Sequence, residues 1–279
     1  MKELLRRNFL FRKFFIVFIG CFFLITGETL RAQVAGVSAS KLTAVDGTLV
    51  PFHKLEAEPS YGYLYSKKSF DEKGHLYPIS PDQDSAVLLK DFFFRFTYGA
   101  GKRLEIGTMV TANLGYVSFG AKYRFVEHKN FLAVALLGFN FTNQSDYGLR
   151  RTGFFGKYMS IASGVALTTV FSPRFSLDIS AEYQNTFSYK TSISDDYFMD
   201  SDLGYYFFHH TFQVVGGFSF QYNHFKQDEP DDFRLSFHPG VTVETGKSFI
   251  IVFYTPIDLI GRNQGRFTGF SFAFTFSVL

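Results

Sequence analysis

The residues of this chain that could perform hydrolysis lie in its second half. Ser236 and His238 are two positions apart, so on a β-strand both side chains would share one face, as a nucleophile and its general base require. His209 and His210 follow a stretch with four aspartates, and imidazole and carboxylate groups together can activate water. Adjacent strand residues face opposite ways, however, and neither pattern has a recognisable flanking motif. We therefore predict no catalytic residue and keep hydrolysis as the third alternative for function.

One run of acidic residues could bind a hard cation. Asp228–Asp232 reads Asp-Glu-Pro-Asp-Asp, and carboxylate oxygens are the ligands that calcium prefers. A solvated loop explains the same composition, because runs of like charge are usually exposed. The sequence contains no glycine-rich phosphate loop and no histidine-based metal motif. We therefore predict no metal site and no cofactor.

A larger group of charged residues falls on the polar faces of segments in which polar and apolar side chains alternate. If those faces line an enclosed lumen, the charges either set the field across a water-filled pore or form a salt-bridge network that plugs it. The sequence leaves both alternatives open. The turn Gly99–Lys102 further predicts that Arg95 and Glu105 lie close together. The candidate lumen-lining residues are Asp91, Arg95, Glu105, Lys122, Arg124, Asp178, Glu182, Arg234 and Glu244, with Glu56 and Glu58 nearer the N-terminus.

The clearest alternating segment is Arg174–Lys190. Its odd positions are apolar or aromatic except Asn185, and its even positions are all polar or charged. Successive side chains of a strand point to opposite faces, and this segment is long enough to cross a membrane as a strand. A soluble sandwich would use strands of about five or six residues. The pattern predicts membrane-crossing strands with one face in lipid.

The same alternation continues from about residue 51 to the C-terminus and predicts an all-β, antiparallel, up-and-down transmembrane β-barrel. The content of 39 Phe and 16 Tyr in 279 residues, at a mean hydropathy of +0.03, fits lipid-facing aromatics that alternate with polar residues. Eleven strands can be assigned directly. Because such barrels usually have an even number, a further crossing is predicted between Lys190 and Arg234, giving twelve strands, with ten as the alternative.

Short turns alternate with longer connections along the predicted barrel, as in outer-membrane barrels, where the short turns are periplasmic. This pattern predicts that both ends of the barrel chain lie in the periplasm. The first strand is expected near Leu55–Ser66, and one of the later strands at Phe207–Asn223. The longer loops are expected at Phe70–Asp84, Asn143–Gly156, Thr191–Tyr205, Gln227–Asp232 and Asp258–Arg266.

The N-terminus has the form of a secretory signal peptide. Met1–Lys13 carries five basic residues, Phe14–Ile25 is an apolar run of 12, and Ala32 is a small residue at the predicted cleavage point, so residues 1–32 are the leader and Gln33 starts the mature chain. Residues 33–50 show no pattern and are expected to be a periplasmic or lumen segment before the barrel at 51–279. The leader holds 6 of the 28 basic and 2 of the 25 acidic residues, so the remainder has a formal charge of −1. This charge gives no reason to expect nucleic acid as a partner.

The leader, the Phe-rich alternating strands and the C-terminal stretch GFSFAFTFSVL resemble the outer-membrane β-barrel superfamily of Gram-negative bacteria over about residues 50–279. The hairpin YGAGKRLEIG, Tyr98–Gly107, is similar to the barrel family of meta-pathway phenol-degradation channels. Leu279 departs from the pattern, because the superfamily usually ends in Phe in phase with the outward aromatics. The resemblance implies an outer-membrane location, with outer-membrane lipid and the barrel-insertion machinery as partners.

We therefore expect an outer-membrane channel for the passive or facilitated passage of a small solute. The channel resemblance extends this expectation to apolar and aromatic solutes. A non-conducting structural or surface-interaction barrel that presents loops such as Thr191–Tyr205 is the alternative, and an outer-membrane hydrolase is the third.

Overall fold

The structure is a computed structural model that describes residues 34, 36–38, 41–79, 86–142, 158–188, 191–207, 211–226, 230–245 and 249–277. This part of the chain forms fourteen strands. The described residues include no helix that is long and apolar enough to cross a membrane. The strands are β1 (Leu55–Phe70), β2 (Leu76–Pro78), β3 (Val87–Gly101), β4 (Leu104–Thr111), β5 (Tyr116–His128), β6 (Phe131–Thr142), β7 (Tyr158–Ser172), β8 (Phe175–Ser188), β9 (Thr191–Phe207), β10 (Phe212–Phe225), β11 (Asp232–Glu244), β12 (Phe249–Tyr254), β13 (Ile257–Arg262) and β14 (Gly265–Ser277).

Twelve crossings form a closed antiparallel barrel, which confirms the predicted fold. Consecutive crossings pair with one another, and β1 pairs with β14, with Glu56 opposite Ser277, which closes the sheet. β12 and β13 together make one crossing, because both pair with β11 and with β14. The interruption lies at residues 255–256, where Pro256 has no N–H to donate to a neighbouring strand. β2 is a short extra strand that pairs with β1.

β9 is the crossing that the strand count lacked between Lys190 and Arg234. The prediction of a loop at Thr191–Tyr205 is therefore wrong, and the strand predicted to begin at Phe207 begins instead at Phe212. The inward positions of β9 carry three buried aspartates, so the stretch has the composition of a solvated loop although it is a wall strand. These aspartates are Asp196, Asp200 and Asp202.

The loop predicted at Asp258–Arg266 is also wrong. These residues form most of β13, a turn at 263–264 and the start of β14. Asn263 has a φ of 55°, a left-handed conformation that asparagine tolerates better than most residues. A register shift between Leu235 and Ser236 interrupts the pairing of β11 with β13. An irregularity of this kind accounts for the weak alternation that the sequence shows here.

Both ends of the barrel chain lie at one end of the barrel, which we call the turn end. Here the wall strands are joined at residues 102–103, 129–130 and 173–174, and also by 208–211 and 245–248, of which 208–210 and 246–248 lie outside the described residues. The opposite, loop end carries the long connections 71–86 and 143–157, of which 80–85 and 143–157 lie outside the described residues. The prediction that the chain ends are periplasmic refers to this end of the barrel and stays a prediction.

The two faces of the wall differ as the alternation predicts. On β5, outward Phe119 is 51% exposed, whereas its inward neighbour Ser118 is fully buried. On β14, outward Phe270 is exposed and inward Ala273 packs against buried apolar residues of the interior. The exposed aromatic surface fits contact with lipid. The inward side chains are shielded from solvent by other residues inside the barrel.

Candidate functional site in the barrel lumen

The lumen contains the N-terminal stretch of the described chain, residues 34–50, which we call the lumen segment. Residues 35, 39 and 40 of this stretch lie outside the described residues. Most of the others are buried, and Val34, Ala44 and Val50 are at most 3% exposed. An isolated bridge between Phe52 and Gly99 marks the point where the chain leaves the lumen towards β1. The stretch that the sequence assigned to the periplasm or the lumen thus has its described residues inside the barrel.

The carboxylate of Asp202 holds one part of the lumen segment through the backbone. Its Oδ2 accepts hydrogen bonds from the N–H groups of Leu42, Thr43 and Ala44 at 2.9, 2.8 and 2.9 Å. Buried backbone N–H groups need acceptors, and an irregular segment has no neighbouring strand that could supply them. Asp202 is itself fully buried and takes that role from the barrel wall.

Glu105 binds two residues of the same segment that are 12 positions apart, Ser38 and Val50. One oxygen accepts a hydrogen bond from Ser38 N at 2.7 Å, and the other accepts from Ser38 Oγ at 2.9 Å and from Val50 N at 2.8 Å. Residues 38 and 50 are thereby tied to a single side chain of β4. The segment is consequently folded back on itself within the lumen.

Two buried lysines complete this network. Lys122 of β5 donates from Nζ to Ser38 O at 3.0 Å and to Asp46 Oδ1 at 3.1 Å, and lies 3.8 Å from Glu105. Lys41 of the segment donates to Asp178 of β8. Both lysine side chains are almost inaccessible to solvent, at 0% and 6% exposure. Buried charges of this kind are stabilised only when they are paired and hydrogen-bonded, as they are here.

Apolar packing supplies a second set of contacts. Val34, Val37 and Val45 of the segment form a buried cluster with inward residues of β6 and β7. This contact explains why β6 is apolar on both faces in the sequence, as expected for a strand that packs against lumen contents. The β6 and β7 members of the cluster are Val134, Leu136, Ala162 and Ala166.

Inward glycines let the segment approach the wall closely. A Cβ atom on Gly107 would lie 1.8 Å from Gly36 O, and one on Gly99 would lie 2.6 Å from Val50 O. Gly36 also has a φ of 87°, which an L-residue rarely adopts. These positions therefore require glycine for the segment to occupy its observed place.

The structure separates the sequence-predicted lumen residues into two groups. Glu105, Lys122, Asp178 and Glu182 contact the lumen segment directly. The other five have partners elsewhere or lie nearer the rims. Arg95 pairs with Glu58, Arg234 lies 3.7 Å from Asp258, Arg124 pairs with Glu127 at 3.1 Å, Glu244 accepts from Tyr206 at 2.6 Å, and Asp91 is half-buried on β3.

The predicted proximity of Arg95 and Glu105 is wrong. Arg95 lies opposite Met109, whereas Glu105 lies opposite Gly99, because β3 continues to Gly101 and the chain turns only at residues 102–103. Each side chain therefore finds another partner, Glu58 for the arginine and Lys122 for the glutamate.

Sequence reasoning missed two important members of the site, Asp202 and Lys41. Asp202 lies in the stretch that looked like a loop, and Lys41 lies in a stretch with no periodicity. A signal for Asp202 was available, because Tyr197, Met199, Leu203 and Tyr205 alternate with the aspartates of β9.

A cavity of about 390 Å³ remains between the lumen segment and the turn end. Lys41 and Asp178 lie on its inner side, and Tyr206 and Glu244 lie nearer the rim. Hydroxyl groups of Thr48, Ser176 and Thr275, among others, also line it. Apolar side chains such as Leu49 and Ile250 contribute to the lining as well, so the cavity is a chamber of mixed polarity beside the lumen segment.

The candidate hydrolytic and metal-binding residues are engaged in other contacts where the structure describes them. Ser236 Oγ donates to Asp258 Oδ1 at 2.6 Å, and the buried ring of His238 stacks on Tyr254 with centroids 5.6 Å apart. In the acidic run, Asp231 accepts from Tyr222 at 2.7 Å. His209, His210, Asp228 and Glu229 lie outside the described residues. Among the described residues, no group of three or more His, Cys, Asp or Glu side chains could hold a metal ion.

Comparisons with known proteins agree with this architecture. A family model described as a membrane bound beta barrel domain (DUF5777) matches residues 83–278. The COG4313 outer membrane channel from Pseudomonas putida F1 is similar in structure, with a TM-score of 0.63 and 10% sequence identity over 82% of this chain and 97% of that one. The NanC porin has a TM-score of 0.50 and 8% identity over 80% of this chain and 100% of that one. No curated protein sequence matches the chain significantly.

Proposed function

Because the chain belongs to the family of membrane bound beta barrel domains, DUF5777, we propose that it is a channel that passes a small solute across the outer membrane. The similarity to the COG4313 outer membrane channel concerns the fold, and it supports a tube as the functional form of the wall. Passage is facilitated by movement of the lumen segment, because that segment closes the tube in the observed state.

The observation that carries this proposal is that a separate segment, rather than the wall side chains alone, fills the lumen. A twelve-stranded barrel encloses more space than an eight-stranded one, whose interior is filled by its own side chains. The segment is bound mainly by side chains such as Asp202, Glu105 and Lys122. Its displacement would therefore leave the strand-to-strand hydrogen bonds of the wall intact.

The lining supports a small polar solute more than an apolar one. The buried inward residues between the segment and the loop end are mostly polar. An apolar strip does exist on β6 and β7, but the lumen segment covers it. The polar residues include Asn140, Ser160, Gln184, Asp196, Ser219 and Arg234.

Conductance of the purified protein in planar bilayers tests the proposal. We expect rare, short openings from the unaltered protein, and sustained conductance from the double variant Glu105→Ala/Asp202→Ala, which loses both carboxylate contacts to the segment. Thr186→Val is the matched control, because the Thr186 hydroxyl contacts Ser160 and Asp196 instead of the segment. Its conductance should equal that of the unaltered protein.

The alternative is a non-conducting structural or surface-interaction barrel, and the buried ion pairs of the lumen favour it as a second candidate. A double variant that keeps heat-modifiable gel mobility, and hence a folded barrel, but remains silent would replace the channel with this alternative. Hydrolysis of a lipid or peptide substrate that is lost on Ser236→Ala would overturn both.

A further inference from the structure

Glu182 is unusual among the buried acidic residues of the lumen. Its Oε2 accepts a hydrogen bond from Val34 N at 2.6 Å, whereas Oε1 is buried and accepts none. The side chain is 5% exposed, so water is largely excluded. Among the described residues, no lysine, arginine or histidine forms an ion pair with it.

The other acidic residues around the lumen segment show what Glu182 lacks. Asp178 is paired with Lys41, Glu105 lies beside Lys122, and Asp202 accepts three backbone hydrogen bonds. Burying a carboxylate is costly unless a cation or several donors compensate it. Glu182 has a single donor, so its buried carboxyl group must either hold a proton or be compensated by a cationic group at the free oxygen.

We propose that Glu182 binds the α-ammonium group of the mature protein, carried by Gln33. Gln33 is the residue before Val34, and removal of the predicted signal peptide after Ala32 converts its nitrogen from an amide into a free ammonium. Backbone bond lengths keep consecutive nitrogens within about 4 Å of each other. Since Val34 N already bonds to Glu182, the preceding nitrogen is within reach of the same carboxylate.

The position of Val34 supports this assignment. Its side chain is 2% exposed and lies against Gly138, where an added Cβ would be 3.2 Å from Val34 Cα. A chain that starts at Gln33 would therefore have its first nitrogen next to the Glu182 carboxylate.

Protection of the N-terminal amine tests the assignment on the mature protein purified from outer membranes. An amine-acylating reagent is applied near neutral pH, and modification of the N-terminal peptide is followed by mass spectrometry. We expect Glu182→Gln to be modified at least about tenfold faster than the unaltered protein, because the neutral amide holds the ammonium less well. Thr186→Val, on the same face of β8, should be modified at the unaltered rate.

A second variant keeps the test decisive if Glu182→Gln does not fold. Insertion of one glycine between Ala32 and Gln33 moves the ammonium along the chain while leaving Glu182 intact, and it should expose the amine to the same extent. Equal modification rates in all four proteins would overturn the proposal. So would an intact mass that places the N-terminus elsewhere than Gln33, or a mass lighter by one ammonia, which indicates a cyclised, uncharged terminus. None of these readouts depends on conductance. This inference therefore goes beyond the channel proposal, and either of the two can be wrong while the other is right.

Discussion

Lys41 of the lumen segment and Asp178 of β8 form an ion pair although 137 positions separate them in the sequence. The aspartate is 1% exposed, and its second oxygen accepts a hydrogen bond from Thr168 Oγ1 at 2.6 Å. This pair connects the lumen segment to a wall strand on the far side of the barrel from β1. It is therefore one of the contacts that determine whether the segment stays in the lumen.

Replacing Lys41 with methionine should destabilise the protein strongly, because it leaves Asp178 buried without its cation. We expect a loss of up to about 3–5 kcal/mol in the free energy of unfolding, measured by denaturant unfolding in detergent micelles. The double variant Lys41→Met/Asp178→Asn removes both charges, so its free energy of unfolding should fall distinctly less than that of the single variant. Equal losses from the single and the double variant would show that the ion pair does not couple the segment to the wall.

Gly36→Ala should loosen the lumen segment without touching the wall sequence. The left-handed φ of 87° costs a residue with a Cβ about 1–2 kcal/mol, which raises the displaced population roughly 5- to 30-fold. Displacement of the segment is measured with the substitution Val37→Cys, because Val37 is only 3% exposed. The rate at which a thiol reagent labels this cysteine reports how often the segment leaves its place. Cys21 is the only natural cysteine and lies in the predicted leader, so the engineered thiol reports alone.

The control for this experiment is Gly62→Ala. Gly62 also faces inward, but an added Cβ there meets no atom within 4 Å. Its labelling rate should match that of the parent protein. A Gly36→Ala variant that labels no faster than this control would contradict the close fit of the segment against β4.

Phe274→Arg should impair insertion, because it places a charge on the lipid-facing side near the middle of β14. The expected cost is about 2–4 kcal/mol, assessed from folding into lipid vesicles and from heat-modifiable mobility. Thr275→Ser is the matched change on the inward face, where the hydroxyl donates to Glu58. It should be nearly neutral. Similar defects in the two variants would mean that the facing of the last strand is reversed.

Asp71, in the exposed turn between β1 and β2, should titrate at unusually low pH. Hydrogen bonds from the backbone N–H groups of His75 and Lys73, at 2.7 and 2.8 Å, hold the pKa of Asp71 below its ordinary value. The turn is thus stabilised above the unfolded pKa and loses that stabilisation as the pH falls through the folded pKa. Carbon NMR of the Asp71 carboxyl group measures the midpoint. A midpoint at or above that of an unstructured aspartate would refute the turn geometry.

Alternation alone predicted most of the wall, because lipid on one side and a polar interior on the other impose a period of two. It succeeded on β5 and β14, where outward aromatics such as Phe119 and Phe270 are separated by small or polar inward residues. It failed on β9, since Asp196, Asp200 and Asp202 have the composition of a solvated loop. The lumen segment explains only Asp202, whereas Asp196 and Asp200 accept hydrogen bonds from wall side chains such as Gln184 and Ser219.

The lumen segment itself could not be predicted from local sequence. Lys41, Asp46 and Ser38 bind side chains from β4, β5 and β8, and those strands meet only when the barrel is closed. No periodicity links the segment to its partners. The exact position of the turn between β3 and β4, at residues 102–103, was equally hard to predict, and it places Arg95 away from Glu105 and opposite Glu58 of β1.

The attachment of the lumen segment to β1 gives the barrel a direction. The segment is continuous with the wall at the turn end, and its roughly 17 residues could extend about 55–60 Å if drawn straight. A force applied at the turn end acts directly on this attachment and on the contacts of Val50 with Glu105. The contacts of Val34 with β8 and β6 lie at the other end of the segment and would be reached last. Opening by withdrawal of the segment would therefore start from the turn end.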